Sequence, residues 1–111
     1  MILEKVICDF LTTELGCTVL PERPKRPFGK MVFVERTGGS GQFLKQSTVA
    51  VQSYDESMFK AAELNELVKD AMIKLIELDS ITKVTLNSNY NYTDTATKEY
   101  RYQAVFDIYH Y

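Results

Sequence analysis

Few residues in this chain have the types and spacing that chemistry requires. The single histidine is His110, and the cysteines are Cys8 and Cys17. His110 stands next to the final residue, where chains are usually mobile, so neither a general base nor a metal ligand is expected of it. With no second histidine, no Ser-His or Cys-His pair is expected elsewhere. Cys8 falls within an apolar-periodic segment and Cys17 has no CxxC partner, so metal-ligand spacing is absent. The stretch Thr37-Gly38-Gly39-Ser40-Gly41-Gln42 is as glycine-rich as a phosphate cradle. It lacks the Gly-Lys-Ser/Thr ending and runs towards a strand, so no helix N-terminus waits to hold an anion. It predicts a mobile hairpin tip. The chain is read as a non-enzyme, with no catalytic residue, cofactor or metal.

Two other sets of side chains are suited to contact rather than to reaction. Arg23, Lys25 and Arg26 lie in a connector, Pro21 to Pro27, whose three prolines exclude helix and central strand. That connector reads as a solvated loop or as a cationic arm for an acidic partner. Tyr90, Tyr92, Tyr100 and Tyr102 predict a cross-strand aromatic cluster, either simple packing or a base-stacking platform. The formal net charge of −2, with acids and bases intermixed, argues against a general nucleic-acid binder.

The elements that position these residues follow from periodicity. Leu3, Val6, Ile7, Phe10, Leu11 and Leu15 form one helical stripe, with Gly16 placed to cap it. A short extended piece, Cys17 to Leu20, precedes the connector. Met31 to Arg36 reads as a strand that the glycines break, and a second strand runs from about Leu44 to Gln52. Ser53-Tyr54-Asp55-Glu56 matches a capping box, with Asp55 as an alternative cap, and predicts a helix from near Ser53 to about Leu78, about six turns. Lys83 to Tyr92 and Tyr100 to Ile108 alternate as strands around the turn 93–99, with Val84, Leu86, Ser88, Tyr90 and Tyr92 expected on one face. The predicted fold is α+β: an antiparallel sheet of hairpins packed against a long helix and an N-terminal helix, in the order α-β-β-β-α-β-β.

The 111 residues fit a single domain over 1–111, and a 45% hydrophobic content is enough for a core. No apolar run reaches the ~18 residues of a membrane span, and Met1–Lys5 has no signal-peptide character. The cysteines are therefore expected to be reduced thiols in a cytoplasmic product.

Several short motifs stand in a telling order. They are Pro27-Phe28, the strand end Met31-Val32-Phe33-Val34-Glu35-Arg36-Thr37-Gly38-Gly39, then Thr48-Val49-Ala50-Val51-Gln52-Ser53-Tyr54. A helix containing Ala61-Ala62 follows, and the last motif is Tyr100-Arg101-Tyr102-Gln103-Ala104-Val105-Phe106. Over nearly the whole chain this order resembles the tail terminator (tail-completion) proteins of long-tailed bacteriophages. The resemblance implies a structural virion protein that forms a ring, usually a hexamer. The ring caps the tail tube, ends its growth and offers a surface to the head-tail connector. Assembly in the host cytoplasm, a place at the head-proximal end of the tail, and DNA passing through without specific binding are implied with it. Six mildly acidic copies, at −2 each, would carry −12 and would not grip phosphates. The residues expected at the tube or neighbour-subunit interface are Arg36, Thr37, Gly38, Gly39, Ser40, Gly41, Gln42 and Phe43. Arg23, Lys25 and Arg26 are a possible second interface. On this reading, bulky residues at Gly38 and Gly39 should leave the fold intact and impair termination. A neighbouring neck protein and a small nucleic-acid-binding module are the alternatives.

Overall fold

The computed structural model describes residues 2–25, 27 and 29–111. The connector cation Arg26, the motif residue Phe28 and the leading Met1 fall outside the described residues.

Helix α1 (Leu3–Leu15) buries Leu3, Ile7, Cys8 and Leu11 and ends at Gly16, whose left-handed φ of 65° lets its amide return to the carbonyl of Thr12. Strand β1 (Thr18–Leu20) runs parallel to β2 (Met31–Ser40). The remaining pairings, β2 with β3 (Lys45–Asp55), β3 with β5 (Tyr100–His110) and β5 with β4 (Ile81–Asn91), are antiparallel. The sheet order is β1-β2-β3-β5-β4, so the fold is the α+β arrangement that periodicity predicts, with one parallel edge.

Helix α2 (Met58–Ile73) crosses one face of the sheet and tightens into a 3₁₀ turn, Lys74–Glu77. One apolar core draws on every element, through Ile7 and Leu11, Val32 and Val34, Val49 and Val51, Leu64, Val68 and Met72, Ala104, Phe106 and Ile108. The other face carries no helix. It holds a smaller cluster of Met31, Phe33 and Tyr54, with the Phe33 and Tyr54 rings edge to face at 4.7 Å.

Three expectations about the elements are corrected. The long helix does not begin at Ser53. Ser53, Tyr54 and Asp55 remain in β3; Ser53 and Tyr54 pair with β2 on one side and β5 on the other, and Asp55 with β5. The true cap is Ser57, whose hydroxyl accepts from the Lys60 amide at 3.2 Å. Two ladders outweigh one local capping motif. Nor do the glycines break β2: Gly38, Gly39 and Ser40 pair with Thr48, Ser47 and Gln46 beyond a bulge between Arg36 and Gly38. Finally, β4 does not keep one face throughout. A bulge between Leu86 and Ser88 places Leu86 opposite Phe106 on the helix side. Ser88 and Tyr90, opposite Val105 and Gln103, fall on the open side.

Candidate functional site

The β2–β3 hairpin extends past the helices as an arm. From Glu35 to Lys45 every residue is exposed, and the molecule measures 43 × 24 × 22 Å. The arm is possible because its glycines permit close strand approach. A Cβ on Gly39 would lie 2.8 Å from the carbonyl oxygen of Gln46, and one on Gly38 would meet nothing within 4 Å. Gly41 turns the chain at a φ of 103°, where an added Cβ would strike the carbonyl of Leu44. The expected mobile tip thus shrinks to 41–44, and Gly39 serves the fold rather than a partner.

At the end of the arm Phe43 is 89% exposed and Leu44 48% exposed. Below them an open groove of about 500 Å³ is lined by Arg36, Gly39, Ser40, Lys45 and Ser47. Arg36 lies 3.8 Å from Glu4 of α1, and Thr37 donates to the Thr48 carbonyl at 3.4 Å. Between Arg36 and Gln46 the sequence holds two cations and no acid. The arm is therefore a basic stalk with a bare aromatic tip. The interface residues expected from sequence, Arg36 through Phe43, all lie on this one feature.

Of the second expected set, Arg23 is engaged within the chain. Arg23 donates its Nε to the Tyr54 hydroxyl at 3.3 Å and forms an ion pair with Glu99. The Glu99 hydrogen bond, and then that to Tyr54, push its pKa upward. Arg101 joins the same cluster, donating to the Tyr54 hydroxyl and lying 4.5 Å from the Tyr92 ring centroid. Arg23 is in this way anchored on the open sheet face, and Lys25 is exposed.

The tyrosines do not form one cluster. Tyr90 and Tyr92 share the open face, edge to face at 5.9 Å, whereas Tyr102 lies opposite Asn91 on the other face. His110 lies within the sheet. It closes β5, is 3% exposed, and its Nε2 lies 2.8 Å from the hydroxyl of Ser47. That Ser-His pair was hidden from sequence reasoning, since only the β3–β5 register, with Ser47 opposite Ile108, brings the two together. Ser47 is 2% exposed and the His110 Nδ1 faces the main-chain oxygen of Tyr111 at 3.3 Å, so the pair is set in the wall of the sheet.

Cys8 and Cys17 are free thiols, and burial pushes the pKa of each upward. Among the described residues no group of three His, Cys, Asp or Glu side chains converges on a metal position. No helix among them is long and apolar enough to cross a membrane. No protein-family model and no curated protein matches this chain.

Proposed function

We propose that this chain is a ring-forming subunit, a hexamer by its resemblance to tail terminators. In this reading it caps a phage tail tube, ends tube growth and presents a surface to the head-tail connector. The observation that carries the reading is the β2–β3 arm. It starts at the Glu35-Arg36-Thr37-Gly38-Gly39 strand end, one of the motifs on which the resemblance rests, and it displays Phe43 at 89% exposure. An aromatic held out at the tip of a two-stranded stalk, clear of the core, suits docking against another protein, because its apolar surface leaves water only when it seats. The resemblance over nearly the whole chain, and a fold matching the element order it rests on, support the same reading.

The nucleic-acid alternative gains less support. Arg23 and Arg101 both face Glu99, and Tyr90 and Tyr92 meet edge to face rather than offering a broad stacking floor.

The test is to add purified protein to tail tubes growing in vitro and measure their lengths, with native mass spectrometry of the capped ends. Arrested growth with a ring of this chain at the tube end is the expected result. Unchanged tube growth, with the protein absent from the tube ends, would overturn the reading.

A further inference from the structure

A cleft at the base of the arm has the shape and charge to receive the tip of another copy. It lies on the open sheet face, lined by Phe33 and Gln52 of the sheet and by Pro21 and Arg23 of the connector, with the exposed Glu22 and Glu35 at its rim. Its volume is about 300 Å³ and its lining is mainly apolar. Glu22 and Glu35 on its rim form no ion pair with any described residue. Arg23 is turned away towards Glu99 and Tyr54. The cleft is thus an apolar seat with an acidic rim, and the arm is an aromatic tip on a basic stalk.

A chain cannot fill its own seat. Phe33 lines the cleft, and β2 continues from it through the bulge to Ser40, up to roughly 23 Å at the usual strand rise. The ladder with β3 holds that stretch extended, so tip and seat lie at opposite ends of one stiff hairpin.

We infer that Phe43 of one copy seats in the Pro21–Phe33–Gln52 cleft of the next, with Lys45 beside the tip approaching the neighbour's Glu22 and Glu35. Tip and seat are different surfaces, so the contact is heterologous, the type whose repetition closes a ring when the rotation between copies divides a full turn. This inference rests on the ring-assembly reading and names the neighbour-to-neighbour contact within it. Phe43 is then spent between subunits, and the tube is met by other surfaces.

The inference is tested on the full chain with a photoreactive benzoylphenylalanine in place of Phe43, irradiated at the highest soluble concentration. Cross-linked dimers whose adducts map to Pro21, Phe33 or Gln52 are expected. Adducts elsewhere, or no intermolecular adduct, would overturn it. A second arm uses F43D and the double variant E22K/E35K, all at exposed positions. By sedimentation velocity neither should self-associate, and mixing them should restore a one-to-one pair, because each supplies the surface the other lacks. A mixture that stays monomeric where the unaltered chain associates would also overturn it. Tube capping separates the two claims. If F43D still caps tubes as a ring, this contact falls and the ring reading stands. If the unaltered chain does not cap tubes, the ring reading falls while the cross-link map still decides the contact.

Discussion

Adjacent residues of one type can carry opposite roles, and Gly38 and Gly39 show it. Gly39 faces the β3 backbone so closely that a side chain must push the Gln46 carbonyl away, whereas Gly38 faces open space. Gly39→Val should therefore destabilise the arm by about 1–3 kcal/mol, as overpacking does. Gly38→Val should stay within about 0.5 kcal/mol of the unaltered chain. Denaturant unfolding of the two variants checks this, and equal losses would contradict it. The Ser47–His110 pair gives a second case. Removing the Ser47 hydroxyl leaves the buried His110 Nε2 without its partner at 2.8 Å. Ser47→Ala is expected to cost about 1–3 kcal/mol, the usual penalty for orphaning a buried polar group. A neutral Ser47→Ala in the same unfolding experiment would show that water reaches the ring.

Element boundaries were legible in sequence wherever a single period dictated them, and misleading where two signals competed. Helix α1 and strand β5 have one clean stripe each, and both were placed to within a few residues. At Ser53 a good local capping pattern stood against pairing on both sides, and the pattern lost because β3 is central in the sheet. The bulge between Leu86 and Ser88 was invisible, since an extra residue leaves the alternation of side-chain types unchanged while reversing its face. The arm residues were named from sequence, but their extended form was not, because glycine content signals backbone freedom whether or not a ladder uses it. The competing caps can be separated directly. Ser57→Ala removes the acceptor for the Lys60 amide and should cost about 1 kcal/mol. Ser53→Ala removes a buried hydroxyl that has no hydrogen-bond partner among the described residues, so it should be neutral or stabilising. Thermal melts with the opposite ranking would return the helix start to Ser53.

Across the whole molecule, stability is graded from a rigid centre to exposed extremities. Strands β3 and β5 are hydrogen-bonded on both sides, and Val49, Val51, Ala104 and Phe106 are at most 1% exposed. At the periphery, β1 has three residues, β4 is an edge interrupted by two bulges, and the arm has left the cover of both helices. Amides buried in a central ladder open only when the whole domain unfolds, whereas those with few apolar contacts open locally. Native-state hydrogen exchange should therefore find the slowest amides at Val49, Val51, Ala104 and Phe106, with a denaturant slope equal to that of global unfolding. The amides of Gly38 to Gly41 should exchange much faster and with little dependence on denaturant, because their opening exposes almost no new surface. If the arm exchanged as slowly as the centre, it would be a cooperative part of the core and not a separate docking element. On assembly the arm should slow while the centre keeps its rate, because a seated tip restricts local opening and leaves the β3–β5 ladder as it was.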